Sequence, residues 1–143
     1  MITGYTTGVF DMFHVGHLRI LQRAREQCDR LIVGVSTDDL VESYKKKRPI
    51  IPQADRMEIV RAIRYVDAVI PQTHRDKFRA WEELRFNVMF VGDDWKGDPL
   101  FTSLEGKFSA VGVKIVFFPY TKHVSSSRLS DVLHAIERDG QGI

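Results

Sequence analysis

The sequence has one cysteine, Cys28, among 143 residues. A lone cysteine excludes an internal disulfide and fits a reducing compartment. Cys28 falls on the apolar face of a predicted helix, which indicates a small buried side chain.

Long apolar runs and a strong charge of either sign are also lacking. No run approaches the ~18 residues that span a bilayer, and the N-terminus has no signal-peptide pattern. We therefore expect a cytoplasmic protein without membrane insertion. The net charge is +2, with 28% charged residues, which is too mild a balance to indicate a nucleic-acid partner.

Short apolar segments alternate with amphipathic segments along the chain. Strands are predicted at 2–8, 31–36, 66–71, 88–92 and 113–118, the third ending at Pro71. Helices are predicted at 15–28, 55–64, 76–86, 101–111 and 125–139. This order predicts a single Rossmann-like, doubly wound α/β domain with a five-stranded parallel sheet over residues 1–139. We expect residues 140–143 to be a frayed tail.

Polar, basic or glycine-containing loops follow four of the predicted strands. They read GVFDMFH, STDDLVESYKKKRP, GDDWKGDP and PYTKHVSSS. In a doubly wound sheet, ligands bind outside the carboxyl ends of the strands. These four loops therefore predict one composite site.

The first of these loops belongs to the segment GVFDMFHVGH, residues 8–17. This segment places His14 and His17 on the first turn of a predicted helix. The pair could form a metal site, two structural histidines or a phosphate-binding device. A zinc site needs several ligands, and Asp11 is the one further candidate nearby. The helix N-terminus attracts anions, and imidazoles beside it can donate to phosphate oxygens. Glycine-rich phosphate loops of the GxGxxG or GxxxxGK[ST] type are absent.

GVFDMFHVGH resembles the G[TS]FDxxHxGH signature of the HxGH nucleotidyltransferases. VSTDD, IRYVDAVIP and VGDDWKGD are similar to segments of the glycerol-3-phosphate cytidylyltransferase branch, and the resemblance covers nearly the whole chain. It implies direct transfer of CMP from CTP to a small phosphorylated alcohol, with glycerol 3-phosphate as the first candidate, and release of pyrophosphate. It further implies Mg²⁺ bound mainly through the nucleotide, and a homodimer with RYVDAVIP as a possible interface.

The resemblance also implies roles for individual residues. The implied catalytic residues are His14, His17, Lys45 and Lys47. The implied nucleotide-binding residues, besides His14, His17 and Lys47, are Val9, Phe10, Arg64, Asp94, Trp95, Ser125, Ser126 and Ser127. The implied acceptor-binding residues are Lys45, Lys46 and Lys77. Simpler alternatives are a solvated face for the lysine run, packing for Trp95 and a helix-capping role for Asp38.

The chain departs from the family pattern at Val9, Tyr120 and His123, where the family has threonine or serine, arginine and glycine. The alternatives to the first reading are therefore another phosphorylated acceptor, ATP in place of CTP, or a nucleotide-binding module without turnover.

Overall fold

The computed structural model describes residues 1–93, 96–119 and 133–135. Its centre is a five-stranded parallel sheet in the order β3-β2-β1-β4-β5. The strands are β1 (Thr3–Gly8), β2 (Arg30–Ser36), β3 (Ala68–Gln72), β4 (Val88–Gly92) and β5 (Lys114–Phe118). The helices are α1 (Val15–Glu26), α2 (Asp38–Lys45), α3 (Gln53–Arg61), α4 (Lys77–Leu84) and α5 (Pro99–Ala110).

Helices cover both faces of the sheet, which confirms the predicted doubly wound fold. Successive residues of a strand point to opposite faces. Leu31 and Val33 of β2 accordingly pack in a cluster with α1 and α3, whereas Ile32 packs in a second cluster with α4 and α5. The apolar strands are therefore buried on both sides, as in other parallel sheets.

The sequence predicted that the third strand ends at Pro71, but in the structure the strand is one residue longer. Pro71 lies inside β3, where it pairs with Val35, and the strand continues to Gln72. β3 is an edge strand, and an edge strand tolerates a residue without an N–H because one of its sides has no neighbour to bond.

The sequence prediction also missed a helix, since residues 38–45 were expected to be part of a loop. They form α2, whose first turn is capped by Thr37: its hydroxyl accepts from the Leu40 N–H at 3.1 Å. Asp38, considered above as a helix cap, is instead the first residue of α2.

The remaining helices start or end within a few residues of their predicted positions. Of the predicted last helix, only Leu133–Ala135 is described, and these residues are helical. The predicted tail 140–143 lies outside the described residues. No helix in the described part is both long and apolar enough to cross a membrane.

Candidate functional site

A cavity of about 830 Å³ opens at the carboxyl ends of four strands. Its walls include Thr7 and Gly8 from β1, Ser36 from β2, Gln72 from β3 and Gly92 from β4. The chain builds the sheet outward from β1 to β3 and then returns to place β4 on the other side of β1. The cavity therefore lies at the reversal of strand order, where ligands bind in such folds.

The turn from β1 to α1 has an unusual backbone. Phe10 and Met12 have φ values of 55° and 48°, in the left-handed region that non-glycine residues seldom occupy. The buried carboxylate of Asp11 accepts from the N–H groups of Ile50 and Ile51 at 2.8 and 2.9 Å. These bonds tie the turn to the loop between α2 and α3, so the two segments hold each other in place.

His14 and His17 form a reciprocal cap at the start of α1. The Gly16 N–H donates to His14 Nδ1 at 3.0 Å, and the His14 N–H donates to His17 Nδ1 at 3.2 Å. An Nδ1 that accepts a hydrogen bond carries no proton, so each neutral ring carries its proton on Nε2. The backbone thus makes both Nε2 groups hydrogen-bond donors.

Burial keeps His17 neutral. Desolvation, with a smaller effect of His14, lowers the pKa of His17 from 6.5 to about 3. The two rings stack with centroids 4.0 Å apart, and His17 lines the cavity. At neutral pH, His17 therefore presents a donor without carrying a positive charge.

The metal alternative gains no support from the described part of the chain. No group of three or more His, Cys, Asp or Glu side chains there is placed to hold a metal ion. The arrangement of His14 and His17 instead suits an anion, because Nε2 donors and the N-terminus of α1 lie together.

Lys77 reaches the cavity from the first turn of α4. Its Nζ donates to the hydroxyl of Thr7 at 3.1 Å, directly before the turn that carries Val9 and Phe10. Burial, with a smaller contribution from the charge of Arg75, lowers the pKa of Lys77 from 10.5 to about 8. The ammonium group is therefore kept in a poorly hydrated place where an anion would stabilise it.

The three consecutive lysines at 45–47 do not all face the cavity. Lys45 is the last residue of α2 and lines the cavity. Lys46 is exposed and has a φ of 58° at the C-cap, where α2 ends. Neither Lys46 nor Lys47 is among the residues that line the cavity.

The other predicted site residues divide into three groups. Val9 and Phe10 line the cavity as expected. Arg64 does not line it: its guanidinium lies 5.1 Å from the ring centroid of Tyr65 and donates to the Tyr65 hydroxyl at 3.1 Å. The described residues do not include Asp94, Trp95, Tyr120, His123, Ser125, Ser126 or Ser127.

Arg56, a fully buried arginine in α3, belongs to the site although it was not predicted from the sequence. Its guanidinium donates to the carbonyls of Val9, Ser36 and Ile51 at 2.7–2.8 Å and to a carboxylate oxygen of Asp38 at 2.6 Å. Arg56 thus joins the ends of β1 and β2 to the loop before α3. One signal was available: Arg56 lies one helical turn before the buried Val60, on the same face of α3.

A second missed feature is a pair between Tyr44 of α2 and Arg75 of the loop before α4. The Arg75 guanidinium lies 4.4 Å from the centroid of the Tyr44 ring, within the range of a cation–π contact. Both side chains line the cavity. The pair therefore forms the part of the cavity wall where α2 meets the loop between β3 and α4.

The opposite wall of the cavity is largely apolar. α5 contributes Leu100, Phe101 and Leu104, and α4 adds Phe78. Lys107, one turn beyond Leu104, also lines the cavity. The cavity therefore offers apolar surface beside its charged side chains.

Comparison with known proteins identifies the family. Residues 5–132 match the cytidylyltransferase-like family. The chain belongs to that family. A FAD synthase from Pyrococcus abyssi is 36% identical over 132 residues, which cover 90% of this chain and 88% of that protein. The glycerol-3-phosphate cytidylyltransferase of Bacillus subtilis is 32% identical over 135 residues, which cover 88% and 92%.

Among solved structures, a lipopolysaccharide core biosynthesis protein from Thermoplasma volcanium matches with a TM-score of 0.70 and 27% identity. The match covers 85% of this chain and 98% of that one. The resemblance to glycerol-3-phosphate cytidylyltransferases is confirmed, and this cytidylyltransferase-like protein is a nucleotidyltransferase. Its relatives carry names for more than one substrate pair, so membership of the family defines the reaction class only.

Proposed function

We propose that this enzyme transfers CMP from CTP to the phosphate of a small phosphorylated alcohol, with glycerol 3-phosphate as the acceptor. The products are a CDP-alcohol and pyrophosphate. The observation that carries the proposal is the reciprocal cap of His14 and His17, which turns both Nε2 groups into donors at the start of α1. A charged phosphoryl centre is the group that such donors stabilise.

The chemistry requires positioning rather than a strong base. An oxygen of the acceptor phosphate attacks the α-phosphorus of CTP, the new P–O bond forms, and the bond to pyrophosphate breaks. Phosphate monoesters have a second pKa near 6, so the nucleophile is already ionised at neutral pH. In this scheme, His14 and His17 stabilise the charge on the α-phosphoryl oxygens, and Lys77 holds the acceptor phosphate.

We further propose that Mg²⁺ enters with the triphosphate. Magnesium is commonly bound through substrate phosphates and few protein ligands, and the absence of a larger ligand cluster among the described residues fits that mode. When bound, it would neutralise charge on the departing pyrophosphate.

A larger acceptor is the second candidate, and the apolar wall of α5 favours it. Leu100, Phe101 and Leu104 offer surface that glycerol 3-phosphate would leave uncovered. FAD consists of an AMP unit joined to flavin mononucleotide (FMN), so the similarity to FAD synthases suggests ATP and FMN as an alternative pair.

We also propose that the enzyme is a cytoplasmic homodimer. Apolar residues of the RYVDAVIP segment follow α3 and lead into the edge strand β3, and Ile59 of α3 is 41% exposed. A second copy would cover this surface, and sedimentation velocity tests the proposal directly: a monomer over the micromolar range would contradict it.

The proposed reaction is tested by a substrate panel. The protein is incubated with Mg²⁺, with CTP, ATP, UTP or GTP, and with glycerol 3-phosphate, phosphocholine, other phosphorylated polyols or FMN, while pyrophosphate release is followed. Release with CTP and glycerol 3-phosphate alone would support the first proposal. Release with ATP and FMN alone would select the second candidate, and no release with any pair would contradict both.

A further inference from the structure

Two cationic side chains line the cavity next to each other, Arg75 before α4 and Lys77 at its start. Within the described ranges, neither has a carboxylate oxygen within 4.0 Å of its charged nitrogens, whereas Arg25, Arg48, Arg56 and Arg79 each do. They are close enough for the charge of Arg75 to act on Lys77. Asp76 lies between them in the chain and also lines the cavity, but its carboxylate accepts from the Arg79 N–H, and its charge acts on Lys77 less than that of Arg75 does. The two cations therefore still repel each other, and a bound dianion removes that repulsion.

An aromatic ring lies against the Arg75 guanidinium. The guanidinium lies over the ring of Tyr44, which is partly buried at the last turn of α2. A guanidinium stacked by its face keeps its N–H edge available for two parallel bonds to phosphate oxygens. The stack therefore prepares Arg75 to bind a phosphate while limiting the conformational entropy lost on binding.

Lys77 fixes where such a phosphate would lie. Its bond to Thr7 places the ammonium group at the end of β1, next to the turn that leads to His14. A phosphate shared by Lys77 and Arg75 would therefore sit on the β3 side of the turn, beside the centre that the two histidines serve.

We infer that Arg75, oriented by Tyr44, completes with Lys77 a subsite for the phosphate monoester dianion of the acceptor, and so selects phosphorylated acceptors. The inference rests on the proposed transfer to a phosphorylated acceptor. Arg75 is then a substrate-binding residue, and Tyr44 is a positioning residue that acts through it.

The main variant is Arg75→Gln, which removes the charge while keeping a polar side chain. We expect it to raise the KM for glycerol 3-phosphate about 10- to 100-fold, as the loss of a charge-assisted hydrogen bond would. The KM for CTP, measured at saturating acceptor, should stay within about 2-fold. Arg75→Lys and Tyr44→Leu should give smaller increases, because each keeps a positive charge but loses the stack.

Arg79→Gln is the matched control. Arg79 lies in α4, one turn beyond Arg75, but it is exposed, pairs with Glu83 at 3.7 Å and does not line the cavity. Both KM values of this variant should equal those of the wild type, and thermal unfolding should show that all variants are folded. An unchanged acceptor KM in Arg75→Gln would overturn the inference. A rise in the CTP KM instead would also overturn it, because Arg75 would then serve the nucleotide.

A binding measurement keeps this test independent of turnover. If no substrate pair releases pyrophosphate, the proposed function fails, and inorganic phosphate is then titrated into the protein by calorimetry. Phosphate binding that is weakened in Arg75→Gln but not in Arg79→Gln would still support the subsite. Absence of phosphate binding to the wild type, or equal binding to all three proteins, would refute it.

Discussion

Replacing His14 with asparagine separates the two roles that the structure gives this side chain. His14 Nδ1 accepts the Gly16 N–H and so caps α1, while in the proposed reaction its Nε2 donates to a phosphoryl group. The oxygen of an asparagine side chain can accept the same N–H, since asparagine is a favoured N-cap residue. Its shorter amide cannot reach the position of Nε2.

The expected magnitudes follow from these two roles. Keeping the cap should leave the free energy of unfolding of His14→Asn within about 0.5 kcal/mol of the wild type, whereas His14→Ala should lose about 1 kcal/mol. Losing one donor to a developing charge should lower kcat by about 10²–10³ in both variants. His17→Ala should lower kcat by a similar factor, because His17 Nε2 serves the same centre.

Two assays check this prediction. Urea unfolding followed by circular dichroism gives the stability of each variant, and pyrophosphate release at saturating substrates gives kcat. A His14→Asn variant with near-normal kcat would refute the proposed donor role of Nε2. A variant with lost activity that is also as destabilised as His14→Ala would show instead that asparagine does not restore the cap.

Three further predictions concern buried ionisable groups. Because burial lowers the pKa of His17 to about 3, the unfolded chain binds a proton at His17 before the folded protein does as pH falls below 6.5. The free energy of unfolding should therefore decrease between pH 6.5 and 3, by at most about 1.4 kcal/mol per pH unit. Urea unfolding at each pH should show a smaller dependence of this free energy on pH in His17→Gln. Lys77→Met should raise the acceptor KM yet increase stability at pH 7 by about 1 kcal/mol, because it removes the desolvation cost that lowers the Lys77 pKa to about 8; lower stability would contradict this. Arg56→Met should lower the free energy of unfolding by about 3–5 kcal/mol, because it leaves Asp38 and three carbonyls without their buried donor. A decrease below about 1 kcal/mol in urea unfolding would show that these bonds contribute little.

Much of the fold could be predicted from the order of apolar segments. β4 appears at its predicted bounds, because a continuous apolar run has few other places in a parallel sheet. β1, predicted from its β-branched and aromatic residues, begins one residue later than predicted. α2 was missed since its eight residues carry a narrow apolar stripe of Leu40, Val41 and Tyr44 next to a lysine run typical of a loop. The continuation of β3 through Pro71 depends on its edge position, which is a property of the whole sheet.

The sequence revealed less of the site than of the fold. The motif located His14 and His17, but the reciprocal Nδ1 bonds that fix their tautomers depend on ring orientation in the folded turn. The stack of Arg75 on Tyr44 joins two segments that are remote in sequence, and one of them lies in the helix that was not predicted. Contacts of this kind follow from tertiary packing, so no local sequence pattern predicts them.

The reaction product tests the central claim most directly. The enzyme is incubated with Mg²⁺, CTP and glycerol 3-phosphate, and the mixture is followed by ³¹P NMR. The account predicts two mutually coupled phosphorus signals of a CDP-alcohol, growing in equal amount with pyrophosphate and suppressed in His14→Asn. Pyrophosphate accompanied by free CMP, or no change in the CTP signals, would contradict it.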